Sequence, residues 1–365
     1  GFSSPPRAPS RGRMSRGRCL PNPFAASPGS APCLSVEAAW EQASALLPQL
    51  EECAKRGSVP ISTGQWKHKY EVYTGLAGVG LALLRAGLFC RDARGEGAAA
   101  AGLFGKARKV AEACLAADPQ SDEVSFFCGS PGYLAIACVS ATLLGDGAAA
   151  SKLLRRLLEW TPLACRHGED ELLFGRAGYI YALLWTKHYC GPSAADFNEP
   201  LRQTAERLVA TGQARASRGY PDWPLMWHCF DEPYVGAAHG VAGILAMLFH
   251  CYGLLSQQSQ QLVSRTLERL LAQRFKSGNL PIALGKCRDE HVHWCHGAPG
   301  LPALVTAAAA ALGADERGAL AEAAAQAGEV VWERGAILKG NGLCHGIAGN
   351  GYTFLSLYRL TGDEA

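Results

Sequence analysis

The chain has 365 residues, 48% hydrophobic and 18% charged, so it can bury a large core in one big domain or two ordinary ones. Its formal charge is only +3 and it carries no long basic or acidic run, which argues against nucleic acid as a partner. Its apolar stretches stay shorter than the roughly 18 residues that a membrane-spanning helix needs, so the sequence predicts no transmembrane segment.

Residues 1–36 are rich in Pro, Ser and Arg and contain no Asp or Glu, which predicts a disordered basic segment. Such a start is also typical of organelle transit peptides, so an organelle is the alternative location. The first methionine is Met14, and the origin of residues 1–13 stays open. The 14 cysteines are scattered through apolar segments without a compact framework, which favours reduced thiols in the cytoplasm.

A frame that occurs six times between Gly75 and the end of the sequence organises residues 37–365, which we predict to form one domain. The frame is Gly-x-x-Gly followed by an apolar run, and its first glycines lie 46 to 65 residues apart, the span of two helices. The copies begin at Gly75, Gly129, Gly175, Gly240, Gly297 and Gly346. The segments between them are amphipathic with a helical period, whereas the glycine-led runs are apolar all round. The sequence therefore predicts an all-α fold of about six helical hairpins, arranged as an open solenoid or a closed α/α toroid.

In four copies the glycines indicate close packing at a helix entrance. The last two copies also carry Cys-His-Gly, and a toroid would bring Cys295 to the pair formed by Cys344 and His345. Two thiolates and an imidazole suit zinc with an open fourth position, as in catalytic sites. His293 and His296 flank Cys295, so a four-ligand structural site is the alternative.

Longer segments around these frames resemble one family. They are YTGLAG, FFCGSPG, DELLFGRAGYIYALL, YVGAAHGVAGI, VHWCHGAPG and GLCHGIAGNGYTFLSLYRLT, with RCLPNPF near residue 20. From about residue 18 to residue 363 the chain resembles the eukaryotic LanC-like proteins (lanthionine synthetase C-like family), relatives of bacterial lanthionine cyclases. The resemblance implies an α/α toroid with one zinc ion on Cys295, Cys344 and His345. The family has seven repeats, so we expect a seventh hairpin to be missing here.

The resemblance also implies a reaction, in which a zinc-held thiol adds to the β-carbon of dehydroalanine or dehydrobutyrine. The bacterial enzymes use an internal cysteine, while the eukaryotic ones look like glutathione-adding enzymes that act on damaged proteins. We therefore expect glutathione and dehydroamino-acid-containing proteins or peptides as partners. His296 stands where the bacterial enzymes have a tyrosine, a change shared with the eukaryotic branch that supports glutathione addition.

Four further residues receive roles from the resemblance. His239 matches the catalytic histidine of the family, and Glu171 matches an acidic residue implicated in the bacterial enzymes. Lys339 and Arg18 resemble contacts to the carboxylates of glutathione. Without the resemblance, we would interpret these residues as a packed histidine, a helix-end carboxylate and two surface cations.

Two other interpretations compete with a zinc-dependent glutathione transferase. One is a non-catalytic signalling scaffold that binds zinc and glutathione. On this interpretation, signalling proteins would be further binding partners. The other is a different zinc toroid, such as a protein prenyltransferase subunit, which would need Asp or Glu among the zinc ligands. The adjacent Cys344 and His345 argue against this last interpretation.

Overall fold

A computed structural model gives the structure of the protein and describes residues 19–22, 35–59, 69–191 and 195–362. Within these ranges the chain forms fourteen α-helices. The first seven are α1 (Val36–Ser44), α2 (Leu47–Arg56), α3 (Leu76–Asp92), α4 (Gly97–Ala117), α5 (Ser130–Leu143), α6 (Gly147–Leu158) and α7 (Thr161–Arg166). The others are α8 (Arg176–Cys190), α9 (Asn198–Gly219), α10 (Val241–His250), α11 (Gln257–Leu271), α12 (Leu301–Leu312), α13 (Ala314–Arg334) and α14 (Ile347–Thr361).

The six glycine-led helices α3, α5, α8, α10, α12 and α14 pack side by side in chain order. The helix that follows each of the first five packs outside it, as α4 does on α3 and α13 does on α12. The architecture is an α/α toroid, which confirms the predicted all-α class and the inward position of the apolar helices.

Burial separates the inner helices from the outer ones. In α10, nine consecutive residues from Val241 to Phe249 are buried, because this helix has neighbours on every side. In the outer helix α11, the buried aliphatic residues Val263, Leu267 and Leu270 lie on one stripe. The apolar and amphipathic periods of the sequence therefore correspond to the inner and outer layers.

Each inner helix is preceded by a short segment that we call its entrance loop. The six entrance loops are residues 69–75, 123–129, 169–175, 234–240, 291–297 and 340–346. They hydrogen-bond to one another through the backbone. The N–H of Tyr73 donates to Phe127 (3.0 Å), the next loops join in the same way, and the N–H of Cys295 donates to Cys344 (3.1 Å). The loops therefore form an arc from the first to the sixth, and the side-chain hydrogen bond between Tyr73 and Cys344 closes the arc into a ring.

The second glycine of each frame is required by the crossing of the entrance loop over its helix. A Cβ atom there would lie 1.7 to 2.6 Å from the carbonyl oxygen six residues earlier, in all six copies. At Gly132, for example, the Cβ would lie 1.9 Å from the oxygen of Phe126. No side chain fits at such distances, so glycine fixes the path of the loop and with it the direction of the loop side chains.

None of the described helices is long and apolar enough to span a bilayer. Near the N-terminus, the backbone N–H of Leu20 donates to Ala336 (2.7 Å), and the side chain of Asn22 donates to the carbonyl of Trp332 (2.8 Å). Residues 19–22 therefore pair with the end of α13 and the segment after it. Most of residues 1–36 lie outside the described ranges, and their predicted disorder stays a prediction.

Candidate metal and acid-base site

The residues two positions before the first glycine of the entrance loops meet at the centre of the ring. They are Tyr73, Phe127, Leu173, Ala238, Cys295 and Cys344, and all six belong to one small apolar cluster. The repeat therefore brings two thiols from consecutive loops side by side. The residue that follows the second thiol, His345, adds an imidazole at the same place.

The structure brings Cys295, Cys344 and His345 together. One ligand atom from each lies within 4.8 Å of the other two. Because Zn–S and Zn–N bonds are about 2.3 and 2.0 Å long, the ligands of one tetrahedral ion lie about 3.5 to 4 Å apart. Cys295 is buried, Cys344 half-buried and His345 exposed, so the group is open on the side of His345. Two sulfurs and one nitrogen at this spacing fit a zinc ion with a free coordination position.

The two thiols of the group hydrogen-bond to each other. Their mutual hydrogen bond lowers the pKa of Cys344 and raises the pKa of Cys295. The phenol of Tyr73 also hydrogen-bonds to Cys344 and further lowers the pKa of that thiol. These contacts favour the thiolate form within the pair, which is the form that a metal binds.

A histidine-carboxylate pair lies in the neighbouring loops. Nδ1 of His239 is 2.8 Å from Oε2 of Glu171, which is only 1% exposed. The same carboxylate accepts the backbone N–H groups of Leu173 (3.0 Å) and Phe174 (2.5 Å). The ring of Phe174 stacks on His239 with centroids 5.9 Å apart. These contacts fix the carboxylate and the orientation of the imidazole, and they leave Nε2 of His239 for other partners.

Cys229, His239 and Glu171 form a second cluster of side chains of the kinds that bind metals. Sγ of Cys229 lies 3.7 Å from Nδ1 of His239, and atoms of Cys229, His239 and Glu171 lie within 4.8 Å of one another. Burial raises the pKa of the Cys229 thiol, and the negative charge of Glu171 raises it further. The hydrogen bond between His239 and Glu171 accounts for this closeness without an ion.

His296 lies between the candidate metal ligands and the acid-base pair. It follows Cys295 directly, and its ring centroid is 6.0 Å from that of His239 and 5.1 Å from that of Tyr234. Burial lowers its pKa to about 3, and nearby positive charge, including His239, contributes to the shift. Its buried Nδ1 has no hydrogen-bond partner among the described residues. His296 is thus a partly buried imidazole, one nitrogen of which has no hydrogen-bond partner in the described part of the chain.

Comparison with known proteins identifies the family. A sequence model of the lanthionine synthetase C-like proteins matches residues 67–365. The chain belongs to the lanthionine synthetase C-like family. This assignment confirms the resemblance that the glycine frames indicate.

Two curated relatives of this LanC-like chain show how far the similarity extends. Glutathione S-transferase LANCL1 of Danio rerio is 38% identical over 247 residues, which cover 66% of this chain and 60% of that protein. LanC-like protein GCL1 of Arabidopsis thaliana is 34% identical over 302 residues, 80% of this chain and 66% of that protein. The chain thus spans slightly less than two thirds of these relatives.

A solved structure shares the LanC-like fold. Nisin cyclase superposes with a TM-score of 0.60 at 16% identity, over 89% of this chain and 83% of that chain. At this identity the likeness establishes the common fold.

The structure describes only one of the two basic residues that the LanC-like resemblance implies as glutathione contacts. Lys339 is exposed and lies near the thiols. The pKa of Cys295 is raised mainly by its hydrogen bond with Cys344 and by burial, and the charge of Lys339 offsets part of that rise. Arg18 lies outside the described residues. The segment that follows it pairs with residues 332–337, just before Lys339.

Sequence reasoning missed three residues of this LanC-like site. Tyr73 stands two residues before Gly75, as Cys295 stands before Gly297, so alignment of the six frames would have identified it. Cys229 and Phe230 lie outside the frames, in a turn that no glycine marks, and the sequence carried no signal for them.

Proposed function

We propose that the protein catalyses zinc-dependent addition of the glutathione thiol to dehydroalanine or dehydrobutyrine residues of proteins. The observation that carries this proposal is the convergence of Cys295, Cys344 and His345 beside the pair of His239 and Glu171. The name of the Danio rerio relative, a glutathione S-transferase, supports the choice of the thiol donor.

The donor set fits zinc better than the harder divalent ions. Thiolate and imidazole select zinc, whereas Mg²⁺ and Ca²⁺ take oxygen ligands. Cys295, Cys344 and His345 would hold the ion, and their number leaves a position for an incoming sulfur. When bound, zinc supplies deprotonation of a thiol whose free pKa of about 8.5 leaves it mostly protonated at neutral pH.

The acid-base pair has a complementary task in this proposal. Addition forms a C–S bond at the β-carbon and moves the π-electrons of the double bond towards the neighbouring carbonyl. The resulting enolate needs a proton at its α-carbon. Nδ1 of His239 donates to Glu171, so Nε2 is the nitrogen that delivers this proton. The carboxylate of Glu171 holds the ring in position and stabilises its protonated form.

Binding of glutathione requires groups that recognise a tripeptide with two carboxylates. Lys339, exposed beside the thiols, and Arg18 would bind these carboxylates by charge-assisted hydrogen bonds. Such contacts orient the tripeptide so that its sulfur reaches the cysteines.

We also propose a cytoplasmic location. The thirteen cysteines in the described part of the chain are free thiols, and several are exposed or half-buried. A reducing compartment keeps such thiols from pairing.

Mass spectrometry tests the function directly. The chain is incubated with glutathione and a dehydroalanine peptide, and the mass of the peptide with one added glutathione is expected. The adduct should disappear when a chelator removes zinc and return when zinc is restored. The His239→Asn variant should keep its zinc and form the adduct far more slowly. A zinc-loaded wild type that forms no adduct would overturn the catalytic proposal and leave a binding scaffold.

A further inference from the structure

A strained turn lies next to the acid-base pair. Among the described residues, Phe230 and Asp231 are the non-glycine residues with positive φ, at 50° and 60°. Cys229 and Glu232 close the turn with backbone hydrogen bonds in both directions, of 3.2 and 3.0 Å. Left-handed backbone at a non-glycine residue is strained and persists where a function or a dense surrounding holds it.

The turn holds a large aromatic ring out of the core. Phe230 is 70% exposed, so burial does not repay the strain. Its ring centroid lies 5.9 Å from that of Phe174 and 5.9 Å from that of His239. Phe230 and Phe174 therefore form an aromatic wall around the imidazole. An exposed aromatic side chain in such a place is typical of a surface that contacts a ligand.

A cavity adjoins this wall on the side of the outer helix α9. It has a volume of about 280 Å³ and is lined by the turn, by the end of α9 and by Glu169 and Asp170, which directly precede Glu171. Pockets for complete small ligands usually exceed about 300 Å³. This volume suits one or two residues of a peptide, and Phe230 is the residue that the cavity shares with the wall beside His239.

The lining of the cavity carries both signs of charge, with two arginines and the carboxylates of Glu169, Asp170 and Asp231. Arg215 and Arg218 line the cavity from α9, are exposed, and form no ion pair within the described ranges. Asp170 is already bound by Arg176 and accepts the hydroxyl of Thr211 (3.0 Å). Two guanidinium groups with unused donors suit a carboxylate. The carboxylates of Glu169 and Asp231, also in the lining, can accept backbone N–H groups of the same peptide.

We propose that Phe230 and this cavity form a subsite for the polypeptide substrate. Phe230 packs against the residue next to the dehydroamino acid, and Arg215 with Arg218 binds an Asp or Glu side chain nearby. The subsite makes the enzyme select dehydroamino acids in an acidic sequence context. This inference rests on the proposed function, and its test separates the two.

The test compares three acceptors with glutathione as the donor. They are N-acetyl-dehydroalanine methylamide, a dehydroalanine pentapeptide with glutamates beside the reactive residue, and the same peptide with lysines. The kcat/KM of the wild type should be about tenfold higher for the glutamate peptide than for the lysine peptide. This ratio is at the low end of what hydrogen bonds to charged groups contribute, because the arginines are exposed. The double variant Arg215→Ala/Arg218→Ala should lose this preference and use the methylamide as the wild type does.

Two variants control for stability and for general charge. Phe230→Gly relieves the left-handed strain, so its Tm should stay equal or rise while its kcat/KM for both peptides falls. Arg265→Ala removes an exposed arginine from the neighbouring helix α11 and should change none of the three rates. Equal rates on both peptides in the wild type, or a preference for lysine, would overturn the subsite.

A binding measurement keeps the subsite testable if the chemistry itself fails. If the wild type adds nothing to the methylamide, the proposed function fails. A fluorescent glutamate peptide with alanine in place of dehydroalanine should still bind the wild type more tightly than Arg215→Ala/Arg218→Ala in an anisotropy titration. Equal affinities in that titration would reject the subsite independently.

Discussion

Two pairs of neighbouring entrance loops each contain a buried glutamate at the same position, but the glutamate contacts a different type of side chain in each pair. Glu171, four residues before its loop glycine, hydrogen-bonds to His239, the residue before the next glycine. Glu71 occupies the same position in its own loop and hydrogen-bonds to Cys128, again the residue before the next glycine. Both glutamates are almost completely buried, at 1% and 2% exposure.

The difference lies in what the partner of each glutamate can do with a proton. An imidazole takes up and releases protons near neutral pH. Burial raises the pKa of the Cys128 thiol, and the charge of Glu71 raises it further, so this thiol stays protonated. The comparison teaches that the glycine frame supplies the same backbone at both copies, while the residue before the glycine decides whether the copy carries a group that can transfer a proton near neutral pH.

The largest expected effect tests the shared backbone. Gly132→Ala, in a copy without the proposed chemistry, and Gly243→Ala, in the copy of His239, should each cost about 4 kcal/mol or more of unfolding free energy. The added Cβ would lie 1.9 and 1.8 Å from a backbone oxygen. Denaturant unfolding measures the loss. Gly102→Ala, in α4 with nothing near its Cβ position, should instead stabilise by about 0.5 to 1 kcal/mol. A fully stable Gly132→Ala would show that the frame is not a steric requirement.

The next largest effect distinguishes His239 from Cys128, the two residues that the buried glutamates contact. His239→Asn should lower kcat for adduct formation by about 10² to 10⁴, the usual contribution of a general acid. Cys128→Ala, at the equivalent position, should change kcat by less than about threefold. Steady-state kinetics with zinc-loaded protein measure both. Equal losses in the two variants would mean that position in the ring, rather than imidazole chemistry, matters.

A smaller effect separates the two glutamates. Glu171→Gln keeps a hydrogen-bond acceptor but removes the charge that stabilises the protonated ring of His239, so kcat should fall about tenfold or more. Glu71→Gln should leave kcat within about twofold, because its partner Cys128 takes no part in the reaction. Parallel kinetics of the two variants check this, and a large loss in Glu71→Gln would assign a catalytic role to the first pair.

The smallest effect is a pH dependence of stability caused by His296. The unfolded ring titrates near 6.5, whereas burial lowers its pKa to about 3 in the folded protein. Its stabilising contribution is complete above pH 6.5 and is lost as the pH falls towards 3, with a slope of at most about 1.4 kcal/mol per pH unit. In metal-free protein, His296→Gln should flatten this slope in denaturant titrations between pH 6.5 and 5. An unchanged slope would show that the ring is protonated in the folded state.

The sequence predicted the parts of this site that depend on the repeat. Cys295 and Cys344 each stand two residues before their glycine and His345 follows Cys344 directly, so a ring of frames brings the three together. The contact between His239 and Glu171 was not predicted from the residues, because it depends on how one loop lies against the next. The wall formed by Phe230 was missed for another reason. Its left-handed turn contains neither glycine nor asparagine, the usual signals for positive φ.

Zinc stoichiometry tests the central claim most directly. The account predicts one zinc ion per chain in the wild type, and a large loss in Cys295→Ala and in Cys344→Ala while both variants keep the circular dichroism of the wild type. Cys128→Ala, which removes a third thiol of the same cluster, should keep its zinc. Full zinc occupancy in both Cys295→Ala and Cys344→Ala would contradict the account.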